Sequence, residues 1–100
     1  MRATLDGTVL AEAAESDLVE IEGNWYFPPS AVVPGVLSES PTPYTCPWKG
    51  RCQYWDVTTP AGTRSDGAWS YPEIKASAVE RVGTDFAGWV AFSPGIDVDA

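Results

Sequence analysis

Residues 45–55 read TCPWKGRCQYW, and the fold turns on how this stretch is read. It carries Cys46 and Cys52, Trp48 and Trp55, and the run Lys49-Gly50-Arg51. On one straight strand the two cysteines would stand about 20 Å apart at the usual rise per residue. A turn at Pro47-Trp48-Lys49-Gly50 is what could bring them together, and its composition suits one. Beyond the turn, Arg51 to Val57 alternates, with Cys52, Tyr54 and Asp56 on one face and Gln53, Trp55 and Val57 on the other. A period of two is the mark of a strand.

The same grammar extends in both directions. Leu5-Asp6-Gly7-Thr8 sets Asp-Gly between β-prone runs, the composition of a tight hairpin. Val19 and Ile21 alternate with Glu20 and Glu22, predicting a half-buried strand that Gly23-Asn24 breaks. Trp25-Tyr26-Phe27 is extended up to Pro28-Pro29, and residues 30–33 have room for one helical turn before Pro34-Gly35. Ser38 to Pro43 is a loop by composition. Pro60-Ala61-Gly62 is a turn, and Gly67 to Tyr71 a strand closed by Pro72. Ile74, Ala78 and Val82 recur every fourth position ahead of Gly83, predicting a short helix over 74–81. Phe86 to Phe92 is apolar and β-prone, and Ile96-Asp97-Val98 reads as an edge strand. About six or seven short strands separated by turn signals make a mostly antiparallel β domain.

The chain has 100 residues, enough for a single domain with one modest core. Fourteen acidic against six basic residues give a net charge of −8, a field that repels phosphate backbones, so nucleic acid is not an expected partner. No segment has the apolar length of a membrane span and no leader pattern opens the chain, which makes the cytoplasm the default location. There the cysteines are expected as thiols.

Four ordered motifs, Glu22 to Pro28 (EGNWYFP), Cys46 to Gly50 (CPWKG), Ala68 to Pro72 (AWSYP) and Val90-Ala91-Phe92, resemble the bacterial domain-of-unknown-function 427 family, which is sometimes labelled nucleotidyltransferase-like. The resemblance spans nearly the whole chain. It implies a small, mostly β domain in two sheets, the β-tent (Mss4-like) architecture, with one or two short helices. Relatives with that architecture bind structural zinc through four cysteines, or hold a ligand in an aromatic pocket. Two cysteines and no histidine cannot build a closed zinc site of thiolates and imidazoles, so neither metal nor cofactor is expected.

Zero histidines also remove imidazole-based nucleophilic mechanisms. Cys46 is then the candidate nucleophile, with Lys49 or Arg51 holding its thiolate and Tyr26 or Tyr71 as acid, set against the plainer reading of a buried structural thiol. Lys49-Gly50 lacks the glycine-rich approach of a phosphate loop. Asp97 and Asp99 are paired carboxylates of the kind that hold magnesium in nucleotidyl transfer, but a solvated tail accounts for them better. The aromatic excess is the more unusual signal. Some of it packs the core, Trp89 and Phe92 first, while Trp25, Tyr26, Trp48, Tyr54, Trp69 and Tyr71, oriented by Glu22 and Asn24, would wall a pocket for a planar or cationic small molecule. Binding of a small ligand is the leading expectation, a thiol-dependent enzyme the alternative, and nucleotidyl transfer or an exposed protein-interaction patch the third.

Overall fold

The computed structural model describes residues 1–99. Strands β1 (Arg2–Leu5) and β2 (Thr8–Glu12) form the first hairpin, and Asp6 and Gly7 take φ of 52° and 80°. Both left-handed positions fall where a type I′ turn requires them, which is why Asp-Gly sits there. β3 (Val19–Ile21) and β4 (Asn24–Tyr26) form a second hairpin about Glu22-Gly23. Three long strands follow, β5 (Leu37–Cys46), β6 (Gly50–Thr59) and β7 (Gly62–Ser70). The helix α1 (Ala76–Val82) precedes β8 (Val90–Phe92) and β9 (Asp97–Asp99).

All pairings are antiparallel. The strands make a four-stranded sheet in the order β5-β6-β7-β8, a three-stranded sheet β2-β1-β9, and the separate pair β3-β4. Three sheets therefore stand where two were expected. The third is a small extension: Phe27 bridges Val90, so the β3-β4 hairpin continues from the β8 edge of the large sheet.

The four-stranded sheet has a core on each side, as the alternation along β6 requires. On one side Val57, with Trp55 packed beside it, joins Ala68, Val90 and Phe92 of the sheet to Ala3, Leu10 and Ala11 of the three-stranded layer and to Phe27 and Ile96. On the other side Cys52, with Tyr54 beside it, joins Cys46, Tyr71 and Ala91 to Ile21 and Tyr26 of the second hairpin, Ala78 of α1 and Phe86. Phe27 and Phe92 meet edge to face at 5.8 Å in the first core, and Tyr26 and Phe86 do the same at 5.8 Å in the second.

Two segments differ from the sequence reading. Ser38 to Pro43 is not a loop; it belongs to β5, which carries a bulge there. Glu39 faces Trp55 and Pro43 faces Gln53, so four steps along β5 match two along β6. β5 is the free edge of its sheet, where a proline's missing N–H costs no ladder bond, and the composition rule for loops fails for that reason. At the other end, Phe86 to Trp89 is a turn, not strand: Trp89 N–H donates to Phe86 O at 3.0 Å and Gly88 N–H to Tyr71 O at 2.9 Å. Phe86 is apolar because it fills the second core. The helix begins two residues later than predicted, and Gly83 N–H caps it by donating to Val79 O. The single turn expected over 30–33 forms one residue earlier, over Pro29–Ala31, as 3-10 helix. Among the described residues, no helix is long and apolar enough to cross a membrane.

Candidate functional site

The CPWKG stretch is the tip of the β5-β6 hairpin, where Cys46 pairs with Gly50 and Tyr44 with Cys52. Residues 73–75, leading into α1, clamp this tip. Lys75 N–H donates to Lys49 O at 3.0 Å and Lys75 Nζ to Pro47 O at 2.7 Å. Gly50, at φ 127°, lies so close that a Cβ there would stand 2.9 Å from Glu73 O. Only glycine fits both the dihedral and the approach.

The clamp holds Lys49 inward, 5% exposed. Its ammonium lies 4.8 Å from the Trp48 ring centroid and 5.2 Å from that of Tyr71, and it pairs with Glu22. Glu22 sits at a left-handed position, φ 54°, in the β3-β4 turn, and that conformation is a cost the ion pair helps offset. The hydrogen bond from Lys49 holds the Glu22 carboxyl below its ordinary 4.5, although the Glu22 side chain is 55% exposed. The Arg81 guanidinium of α1 also lies over the Trp48 ring, 4.2 Å from its centroid.

Beside Lys49 opens a cleft of about 370 Å³ lined by Asn24, Tyr26, Tyr44, Lys49, Tyr54 and Asp66, with Trp69, Tyr71, Ser93 and Pro94 completing it. Tyr54 and Trp69 face each other across β6 and β7, and Tyr44 reaches the same space from β5. Trp69 Nε1 donates to the Tyr26 hydroxyl at 3.0 Å, which leaves that hydroxyl's own proton to give. Burial pushes the Tyr26 phenol up to about 12 and raises those of Tyr71 and Tyr54, so these three stay neutral at physiological pH. A larger hollow of about 500 Å³ follows the bulge on the free edge of β5, walled by residues such as Pro41, Thr42 and Thr45. It gathers little of the aromatic set.

Of the ten residues proposed from sequence, Asn24, Tyr26, Lys49, Tyr54, Trp69 and Tyr71 converge on the cleft. Glu22 acts one step away, through Lys49. Trp48 packs against the second core with two cations over its ring, and Trp25 packs against the first core instead. Cys46 is buried, 5% exposed and reduced, and is not a cleft residue. Cys52 is its reduced neighbour, whose thiol burial pushes up to about 11.

The sequence reading passed over Tyr44, Asp66, Ser93 and Pro94. Asp66 is the instructive case. It lies in a second bulge, where Trp55 faces Ala68 and Val57 faces Arg64, so four steps of β7 match two of β6. Its φ is 53°, its N–H donates to Asp56 Oδ1 at 2.9 Å, and its carboxylate accepts from Ser40 Oγ and, at 2.8 Å, from Thr42 Oγ1. The available signal was the pair Asp66-Gly67, the same dipeptide that marks the first hairpin.

The model of the family described as NTP_transf_9, domain of unknown function (DUF427), matches residues 1–100. The chain belongs to the DUF427 family. A comparison with curated proteins finds no match. Within this DUF427 domain the motif residues Glu22, Asn24, Tyr26, Lys49, Trp69 and Tyr71 share one neighbourhood, although they come from three separate stretches of chain. The first hairpin and β9 contribute nothing to it.

Proposed function

We propose that this DUF427 domain binds a small organic molecule in the cleft between Tyr54, Trp69 and Lys49. The observation that carries the reading is the convergence of four tyrosines and Trp69 on one hollow of about 370 Å³, with Asn24, Lys49 and Asp66 as its polar groups. Apolar ring surface with a few fixed polar groups is the usual make-up of a ligand site. The ladder of cross-strand bonds beneath it, and the clamp on the hairpin tip, hold these groups in place before any ligand arrives.

The thiol-enzyme alternative has less support, because Cys46 is enclosed in the core with Ile21, Phe86 and Ala78 and has no cleft surface. Nucleotidyl transfer would call on Asp97 and Asp99, which are exposed on β9 of the other sheet. A screen of small planar and cationic compounds by two-dimensional NMR tests the reading. Ligands should move the Trp69 indole signal, lose affinity on Tyr54→Ala or Trp69→Ala, and keep it on Cys46→Ala. Binding that ignores both aromatic substitutions, or a compound consumed only while Cys46 is present, would refute it.

A further inference from the structure

The cleft has an unbalanced charge. Lys49 is its cation, and that cation is already answered by Glu22 and by the faces of Trp48 and Tyr71. Asp66 is its anion, and among the described residues the ion pairs are Arg2 with Glu12 and Lys49 with Glu22, so Asp66 has no cationic partner. The basic residue nearest to it in the chain, Arg64, gives its guanidinium N–H to Pro94 O at 3.1 Å. What Asp66 does have is two hydroxyl donors, Ser40 and Thr42, one on each carboxylate oxygen. Neutral donors orient a carboxylate without cancelling its charge, and each oxygen keeps a further lone pair for a ligand.

The surroundings of Asp66 suit a cation. Tyr44, Tyr54, Trp69 and Tyr26 line the same hollow, and aromatic faces attract ammonium groups and disfavour anions. The phenols of Tyr26 and Tyr54, raised by burial, remain neutral, so they add acceptor oxygens but no charge. The net charge of −8 raises the local concentration of cations around the whole molecule.

We infer that the ligand of the cleft is an organic amine, its ammonium group seated between the Asp66 carboxylate and the rings of Tyr44, Tyr54 and Trp69. The inference rests on the ligand-binding reading above and specifies its chemical class. Lys49, held by Glu22, lines the same cleft and serves as a hydrogen-bond donor to the uncharged part of the molecule.

The test is a charge series of one shape: benzylammonium, benzyl alcohol and benzoate, titrated into the intact protein and followed by the NMR signals of the Trp69 indole and the Asp66 amide. Benzylammonium should bind at least about tenfold more tightly than benzyl alcohol, benzoate should be weakest, and added salt should weaken benzylammonium alone. Asp66→Asn, which tolerates the left-handed backbone and keeps one acceptor oxygen, should bring benzylammonium to within about twofold of benzyl alcohol. Should that variant fail to fold, the series on the native protein decides by itself. Equal or tighter binding of the alcohol or the carboxylate overturns the amine assignment while leaving the ligand-binding reading intact. No saturable shift from benzylammonium also overturns it, and the ligand-binding reading then stands or falls on the broader screen.

Discussion

The two sides of the four-stranded sheet are built from the same strands and do different work. On the side facing the three-stranded layer the buried set is Ala3, Leu10, Ala11, Phe27, Val57, Ala68, Val90, Phe92 and Ile96 among others, with no charged member. On the opposite side the buried set includes two thiols and two phenols, and Lys49 lies buried beside them. The first core stabilises chiefly by burial, its polar pair at the sheet being Trp55 Nε1 donating to Ser70 Oγ at 2.9 Å. A core with polar tips must satisfy each one, and it does so through Trp69 to Tyr26 and Lys49 to Glu22. The lesson is a division of labour: one face of the sheet supplies cohesion, and the other spends some of its apolar surface on a cleft.

Substitutions can break that comparison in order of expected effect. Phe27→Ala, at a fully buried position in the apolar core, should cost about 3–5 kcal/mol in urea denaturation, and a loss below about 1 kcal/mol would mean that core is not the cohesive one. Gly50→Ala places a Cβ against Glu73 O and in a dihedral alanine avoids. It should cost about 1–3 kcal/mol and release the clamp, which amide exchange at Lys49 and Lys75 would reveal as lost protection. Tyr26→Phe removes the acceptor of the Trp69 indole and should cost about 1 kcal/mol, a value expected to vanish when repeated in a Trp69→Phe background.

The smallest effect sharpens the comparison through pH. The folded Glu22 carboxyl lies below its ordinary 4.5, so its contribution is complete above that value and is lost as pH falls through the folded one. Because Glu22 is more than half exposed, solvent screening keeps the contribution under about 1 kcal/mol. Stability measured from pH 4.5 downward should therefore fall slightly less steeply in Glu22→Gln than in the native protein. An identical acid limb in the two proteins would show that Lys49 is held by the aromatic rings alone.

Much of the fold was legible because it rests on local rules. The alternation Cys52-Gln53-Tyr54-Trp55 assigned each residue to one of two faces, and both faces proved to be core. Asp6-Gly7 announced a hairpin, and Gly83 closed the helix at the end assigned to it. The failures were positional. Ser38 to Pro43 obeyed loop composition, and only the discovery that β5 is an edge strand explains why prolines are tolerated there. Trp25 belongs to the same motif as Tyr26 yet faces the other core, since neighbours on a strand alternate, and Trp48 stays against Lys49 without lining the cleft.

From sequence alone came the antiparallel β class, the places of most of the turns, the family, and the short list from which the cleft is drawn, all of them consequences of residue type and spacing over a few positions. Tertiary structure alone decided which members of that list meet. It enclosed Cys46 and Cys52 in the core, paired Lys49 with a glutamate 27 positions away, and carried Asp66 into the cleft through a bulge whose partner, Ser40, lies 26 positions away. Contacts of that separation depend on strand register, and register is set by the packing of both faces at once, which no local stretch of sequence contains.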